Sequence, residues 1–461
     1  MKCNKKFLAV AAAGVLTVAT AVPALALENE IYGAFTSFYD LSNYSAIGNE
    51  NTSNAAGLSD DAPTQSYFVQ RVRLGYNAKA SDNVKLLTRF ELDYNFWGNS
   101  SYTVARGSGG ALGADSINIE TKTLYLDLNY PMLNTKIGMM GNNDAFKGII
   151  FDTDMAGIKF AHNYTNASVA AGFYRWHADN ALGKNTNDML SLDAKYSVSK
   201  DFKVGASYYY IQDDRATGTT TTPATGTVIG VDINGNDVFS PVGFVPAVVT
   251  ANPANDAKVH TVGLNAEGAF GPLTLNGFAL AQFGDRSRTE DAKGYAFNVG
   301  AKMPLAGGTL RSEFLYVAGG DNALYNAESG YEAGGFYDGE MIFLGRDKNA
   351  TTIDNAILYD VSNLGQGVIL GTVGFDYAFN DKLSGSANAG FAAIADSNAN
   401  TVPGGDGHYL GTELNAECNY QLSPNVTLGA RGGYMILGGY FDGIPGADNI
   451  YDLKILARYA F

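Results

Sequence analysis

The chain has 461 residues, 46% of them hydrophobic, and it is rich in Gly (55), Tyr (28) and Phe (25). Charged residues make up 17% of the chain, against about 25% in soluble domains, and the net charge is −15. The composition excludes a disordered polyelectrolyte and a disulfide-rich scaffold. The acidic balance argues against nucleic acid as a partner, because binding phosphates needs clustered Lys and Arg.

The N-terminus has the pattern of an export signal. Three lysines precede an uncharged apolar stretch over residues 7–22, and the Ala-Leu-Ala sequence at 24–26 has the small-x-small form of a signal peptidase site. The apolar stretch is shorter than the roughly 20 residues of a spanning helix. We therefore predict a cleaved signal peptide over 1–26 and a single mature domain over 27–461.

Segments of about 10 to 14 residues with alternating apolar and polar positions recur along the mature chain. The clearest covers residues 451–461, where the odd positions are apolar or aromatic and the even ones include Asp452, Lys454 and Arg458. Residues 84–94 repeat the pattern. Because successive side chains of a strand face opposite sides of the sheet, each segment presents one apolar and one polar face.

Short turns and longer polar loops alternate between these segments. The turns fall near residues 80–83, 130–134, 165–167, 199–201, 270–272, 304–308, 379–381 and 422–425, and the loops near 40–65, 97–117, 141–154, 178–187, 214–256, 284–291, 319–366, 396–407 and 439–449. Eight turns and nine loops connect 18 strands. The pattern predicts an all-β fold, a transmembrane antiparallel up-and-down β-barrel with both termini at the short-turn end. The strands near 133–140 and 155–164 are short, so a barrel of 16 strands is the alternative.

Together these features resemble the general porins of Gram-negative bacteria. The resemblance is carried by the export signal, by the alternation of turns and loops, and by a final amphipathic strand that ends in Phe461. It implies a channel of the cell outer membrane for passive diffusion of small hydrophilic solutes and ions, with no enzymatic activity and no cofactor. The alternative is a structural or surface-interaction barrel, such as an adhesin or a sheath for a partner, that uses its long loops.

The resemblance also implies partners. A terminal aromatic such as Phe461 is the signal by which barrel-assembly machinery recognises its clients, and the outer surface would contact outer-membrane lipids and lipopolysaccharide. A homotrimer is an expectation from the resemblance alone. The segment 136–141, followed by 144–157, is similar to the strand and inward-folding loop that narrow many porins. The long loops at 214–256 and 319–366 depart from familiar trimeric porins, which leaves open which loop constricts the pore.

Charged side chains of such strands are expected to face the lumen, because an outward charge near the bilayer midplane costs about 2 to 4 kcal/mol. The last strand of a barrel pairs with the first, so strands from both chain ends share one wall. That wall is predicted to carry a basic arc made of Arg71, Arg73, Arg89, Arg431 and Arg458. The predicted inward loop offers three acidic residues opposite the arc, namely Asp144, Asp152 and Asp154.

We predict that this loop faces the arc and forms a constriction with a transverse field, which favours polar solutes and tunes ion preference. The alternative is that the arginines only pair with Glu91, Asp93 and Asp452 as part of the wall. No catalytic or metal site is predicted, since the four histidines lie on separate predicted strands without metal-ligand spacing. The sequence also lacks phosphate-loop, nucleophile-elbow and zinc-protease motifs.

Overall fold

The structure is a computed structural model, and the predicted signal peptide over 1–26 lies outside the residues that it describes. Those residues are 28–44, 58, 64–98, 101–103, 106–107, 119–178, 183, 185–215, 219–222, 228–231, 237–239, 248–251, 256–326, 335–345, 356–358, 360–396, 402 and 407–461. Among them, no helix is long and apolar enough to cross a membrane.

Eighteen β-strands form one antiparallel sheet that closes on itself. In chain order they are β1 (Glu28–Ser42), β2 (Gln65–Ser81), β3 (Val84–Phe96), β4 (Ile119–Tyr130), β5 (Leu133–Asn143), β6 (Asp152–Asn163), β7 (Ala167–Ala178), β8 (Thr186–Ser197), β9 (Phe202–Asp213), β10 (Ala257–Phe270), β11 (Leu273–Asp285), β12 (Tyr295–Leu305), β13 (Gly308–Val317), β14 (Val368–Ala378), β15 (Leu383–Ala393), β16 (Tyr409–Ser423), β17 (Val426–Leu437) and β18 (Ile450–Ala460). Each strand pairs with its neighbours in the chain, and β18 pairs with β1 to close the barrel.

The prediction of 18 strands is confirmed, and the alternative of 16 is wrong. The segments predicted to be short are the full strands β5 and β6, of 11 and 12 residues. They extend into the predicted loop because they keep pairing with each other there. Three short two-stranded ladders are separate from the barrel sheet: Ser101–Thr103 with Arg106–Gly107, Thr219–Thr222 with Val248–Ala251, and Val228–Val231 with Asp237–Phe239. The loops also contain 3-10 turns at Gly320–Asn322, Tyr337–Gly339, Asn363–Gly365 and Gly439–Phe441.

β1 begins and β18 ends at the tight-turn end of the barrel. Gly33 and Phe461 exchange backbone hydrogen bonds of 2.9 and 3.0 Å, and the rings of Tyr459 and Phe461 stack with centroids 5.4 Å apart. The strand ends that flank the longer loops lie at the opposite end. This geometry satisfies the backbone of the first and last strands, so the sheet has no open edge where they meet.

The alternation in the sequence becomes two faces of the wall. In β18, Ile455 is 56% exposed on the outside, whereas its neighbour Lys454 is 1% exposed inside the barrel. Exposed Leu, Ile, Val and Phe side chains recur on the outer face of the other strands. Such an apolar outer band is the surface that a bilayer covers.

The apolar core lies inside the barrel, toward the long-loop end. The β5–β6 loop contributes Phe146 and Ile149, the β13–β14 loop Phe336 and Phe343, and the β17–β18 loop Tyr440, all of them fully buried. These side chains pack against lumen-facing strand residues in one cluster. The described parts of three loops therefore lie inside the long-loop half of the barrel.

Candidate channel constriction

The β5–β6 hairpin leaves the barrel wall and turns into the lumen. Pairing of β4 with β5 ends at Leu124 and Met139, and pairing of β6 with β7 ends at Ala156 and Arg175. The two strands of the hairpin nevertheless stay paired with each other as far as Asn143 and Asp152. Residues 140–155 therefore form a ribbon whose two strands pair with each other and no longer with β4 or β7.

A pair of glycines marks the point where the hairpin departs. Gly138 and Gly157 lie opposite each other in the β5–β6 register, and Gly138 has a φ of 129°, a conformation that favours glycine. A Cβ atom on Gly138 would lie 2.3 Å from the carbonyl oxygen of Leu124. A Cβ atom on Gly157 would lie 2.3 Å from the carbonyl oxygen of Phe173. Both positions therefore require a residue without a side chain.

Asp144 holds the tip of the hairpin in shape from within. Its Oδ1 accepts the backbone N–H groups of Phe146 and Gly148 at 2.6 and 3.0 Å. Its Oδ2 accepts those of Ile150 and Phe151 at 2.6 and 2.8 Å. Burial raises the pKa of Asp144 to about 6, while the four donors oppose the rise. The carboxyl group is thus fully engaged by backbone donors of its own loop.

The tip docks on the wall formed by β9 to β11. The backbone N–H of Ala145 donates to the Tyr209 hydroxyl at 2.9 Å, and that hydroxyl donates to Asp193 Oδ1 at 2.9 Å. The ring of Phe146 packs against those of Tyr209 and Phe278, with centroids 5.7 and 5.6 Å apart. The hairpin tip thus extends into the lumen and rests on the inner face of these strands.

Lys147 joins the hairpin tip to a second inward segment, residues 335–345 of the β13–β14 loop. Its Nζ lies 2.9 Å from Glu313 Oε2 on β13 and 3.1 Å from Asp338 Oδ2 in the second segment. The same ammonium group is 5.7 Å from the centroid of the Phe336 ring. Two loops therefore meet inside the barrel at one cation.

The second segment is anchored by Glu413 on β16. This fully buried carboxylate accepts the backbone N–H groups of Ile342, Phe343 and Leu344 at 2.7, 2.9 and 3.0 Å. The segment thus takes a fixed path along the inner face of the β16 wall. Of the two long loops noted in the sequence, the one at 319–366 places its described segment 335–345 in the lumen, whereas most of 214–256 lies outside the described residues.

The pairing of β17, β18, β1, β2 and β3 places the predicted arginines on one stretch of wall. Arg71 and Arg73 both bind Glu91, which is fully buried, and the Arg71 Nη2 to Oε1 distance is 2.9 Å. Arg73 keeps 41% of its side chain exposed, against 13% for Arg71. Arg89 is half-buried on β3. These two arginine–glutamate contacts match the alternative in which arginines pair with wall carboxylates. The side chain of Asp93 lies outside what the structure describes.

Arg431 and Arg458 lie in different surroundings. Arg431 is 5% exposed and interacts electrostatically with Asp452 and Asp40. Lys454 Nζ lies beside the same two carboxylates, at 3.1 Å from Asp40 and 3.6 Å from Asp452. Arg458 is exposed near the tight-turn end of β18. The five arginines are therefore spread over the length of the wall, and those nearest the hairpin are Arg71, Arg73 and Arg89.

Of the three predicted aspartates, Asp154 is the one that the structure brings to the arginines. It interacts electrostatically with Arg73 and Arg89. Lys122 Nζ lies 3.4 Å from Asp154 and 3.6 Å from Glu91, so it links the hairpin to the wall. Asp152 is half-buried at the end of the hairpin ladder.

The sequence did not reveal Lys122, Lys147 or Glu413 as residues of the constriction. Lys122 lies beside a register irregularity between β3 and β4, where simple alternation no longer assigns the face. Lys147 is a loop residue, and loop residues carry no periodic signal. Glu413 lies on a strand, but its partners lie 69 to 71 residues away in the chain. Among the described residues, no group of three His, Cys, Asp or Glu side chains could hold a metal ion.

No protein-family model matches the chain, and no curated protein matches its sequence. Solved structures do match its fold. OpdL of Pseudomonas aeruginosa is 11% identical with a TM-score of 0.56, over 94% of this chain and 99% of that one. OccAB1 of Acinetobacter baumannii is also 11% identical with a TM-score of 0.56, over 94% and 96%. The outer membrane protein OpdK of P. aeruginosa is 11% identical with a TM-score of 0.54, over 94% and 98%. The chain shares their barrel fold.

Proposed function

We propose that the protein is an outer-membrane channel through which small hydrophilic solutes and ions diffuse passively. One observation carries the proposal, the difference in exposure between two neighbouring groups of charged side chains in the lumen. Beside the hairpin, Arg73, Lys122 and Asp154 keep 41%, 29% and 26% of their side chains exposed. On the adjoining wall, Lys454 and Asp40 are essentially fully buried. Water therefore reaches the charges along β2 to β4, which is where the passage would run.

The charges along this passage have opposite signs on its two sides. Arg73 and Arg89 belong to the wall, whereas Asp154 belongs to the inward hairpin. A transverse field of this kind orders water and favours polar solutes over apolar ones. Transport through it needs no covalent chemistry and no cofactor, so we propose no enzymatic role.

The structural neighbours support a channel. OpdK has been solved with vanillate, so a protein of this fold accommodates a small organic solute. The same neighbours support an outer-membrane location for this chain. The apolar outer face of the barrel supports it as well. Export through the signal over 1–26, recognition of Phe461 by assembly machinery, contact with lipopolysaccharide and a homotrimer remain predictions from the sequence.

Recording from planar lipid bilayers tests the proposal. Purified protein, with its β-sheet content checked by circular dichroism, is expected to give stepwise current increases in KCl, whereas heat-unfolded protein gives none. A folded barrel that inserts and stays electrically silent would contradict the channel. It would favour the alternative of a structural or surface-interaction barrel.

A further inference from the structure

We propose that Lys454 on β18 and Asp40 on β1 condense into an amide bond, a modification that joins the last strand of the barrel covalently to the first. The inference does not depend on the proposed channel function. The two residues lie directly opposite each other in the register of these strands, and Lys454 Nζ is 3.1 Å from Asp40 Oδ2. Groups held in such proximity reach effective molarities of about 10⁵ to 10⁸ M. The amine thus lies beside the carboxyl group that it attacks.

Burial distinguishes this pair from the other lysine–carboxylate pairs. Both side chains are fully buried, and the Phe38 ring packs beside the amine with its centroid 5.9 Å from Nζ. Among the described residues, the next most buried lysine with an ion pair is Lys147, which keeps 19% of its side chain exposed. Desolvating an ion pair is costly, and neutral groups cost less to bury than charged ones. Burial therefore favours transfer of a proton from Lys454 to Asp40, which leaves the neutral amine and carboxylic acid that amide formation needs.

A neighbouring guanidinium group acts in the same direction. Arg431 on β17 lies directly opposite Lys454 on the other side of β18, and it is also buried. Like charges in opposed positions of neighbouring strands destabilise a sheet, and Arg does not give up its proton. Loss of the ammonium proton from Lys454 relieves the repulsion. Arg431 then keeps Asp452, with which it interacts electrostatically, as its anionic partner.

Asp452 is placed to move the proton during the reaction. It is buried on the same face of β18 as Lys454, and its Oδ2 lies 3.6 Å from Lys454 Nζ, within reach once the flexible lysine stem turns toward it. The Lys454 nitrogen attacks Cγ of the protonated Asp40, and Asp452 accepts a proton from that nitrogen. Asp452 then returns the proton to the leaving hydroxyl. The N–C bond forms, the C–O bond breaks and one water molecule leaves, so atoms and charge balance without a co-reactant.

The amide bond adds a covalent closure to the barrel. Near the tight-turn end, Gly33 and Phe461 join the same two strands through backbone hydrogen bonds alone, and these break when the strands separate. A bond between residues 40 and 454 survives separation of the strands. It restricts the unfolded chain in the way that a disulfide does.

Intact-mass spectrometry of the wild type tests the proposal. The full chain kept in urea before folding gives the reference mass. After folding into detergent, the chain is expected to be lighter than this reference by the mass of one water molecule. Protease digestion should then release the peptide that contains Asp40 and the peptide that contains Lys454 as one branched species. A folded chain with the reference mass and two separate peptides would overturn the proposal.

Three variants separate the roles of the residues. Lys454→Arg keeps the positive charge and should show no loss of mass. Asp452→Asn should lower the rate of cross-linking by about tenfold or more, since acid–base catalysis contributes about 10² to 10⁴ in rate. The matched control is Lys203→Arg, because Lys203 on β9 pairs with Glu267 at 3.3 Å but is exposed to water. It should lose one water molecule as the wild type does.

Electrophoresis of heated, denatured samples gives a second measurement. The wild type and the control should migrate faster than Lys454→Arg, because a chain linked between residues 40 and 454 cannot extend fully. A loss of mass that persists in Lys454→Arg would contradict the assignment to this lysine. Cross-linking of Asp452→Asn at the rate of the wild type would contradict the role of Asp452 in proton transfer.

Discussion

The hydroxyl of Tyr209 accepts the backbone N–H of Ala145 and donates to Asp193, both at 2.9 Å. One side chain on β9 thus ties the tip of the inward hairpin to the inner face of the barrel wall. The ring adds to this contact, because Phe151 packs edge-on against it with centroids 5.1 Å apart. The width of the lumen therefore depends on a polar contact that is buried beneath apolar side chains.

The Tyr209→Phe variant keeps the ring and removes this contact. It leaves the Ala145 N–H without its acceptor and should destabilise docking of the hairpin by about 1 to 3 kcal/mol. We expect larger current fluctuations and a larger mean conductance in single-channel recordings. Tyr208→Phe is the matched control, because Tyr208 bonds to His260 Nδ1 at 2.7 Å away from the hairpin. Equal fluctuations in the two variants would show that the Tyr209 contact does not hold the hairpin.

Lys147 is expected to keep the two inward loops together. In Lys147→Met, Glu313 loses its ammonium partner although its side chain is only 4% exposed. Breaking a buried pair from one side costs about 3 to 5 kcal/mol. Conductance should therefore rise and the unfolding temperature should fall. The double variant Lys147→Met/Glu313→Gln removes the orphaned charge, so it should regain stability while its conductance stays high. A double variant as unstable as the single one would contradict this account.

The three wall arginines on the Asp154 side of the lumen are expected to set ion preference. Replacing Arg71, Arg73 and Arg89 by Ser removes positive charge from one side of the passage, so the reversal potential in a KCl gradient should move toward cation preference. Arg286→Ser is the control, since Arg286 is paired with Glu290 at 3.6 Å in the loop between β11 and β12. An ion preference equal to that of the wild type would show that these arginines do not set ion selectivity.

The barrel itself could be predicted from the sequence because its signals are local. Alternation along 451–461 places Asp452 and Lys454 on one face, and the structure has β18 in that arrangement. The turn that ends a strand is likewise specified by a few consecutive residues. The extent of β5 and β6 escaped prediction, because the strands continue beyond the wall by pairing only with each other.

The constriction could be predicted only in part, because its contacts join distant parts of the chain. The acidic residues of the hairpin were identified, but Asp144 binds its own loop and Asp154 meets Lys122. Side-chain hydrogen bonds of this kind have no periodic pattern in the sequence. The apolar core inside the barrel is not predicted by the sequence either. Phe146 and Phe343 are buried there, but they lie in loops, where the sequence alone does not distinguish buried side chains from exposed ones.

Glu413 gives the sharpest test of the second inward segment. In Glu413→Ala, the backbone N–H groups of Ile342, Phe343 and Leu344 lose their acceptor. Each unsatisfied buried donor costs about 1 to 3 kcal/mol, so the 335–345 segment should leave the β16 wall. We expect a higher single-channel conductance and faster proteolysis within 335–345. Glu417→Ala is the matched control, because Glu417 is on the same strand nearer the tight-turn end. If Glu413→Ala conducts and resists protease as the control does, the segment is held by its apolar contacts alone.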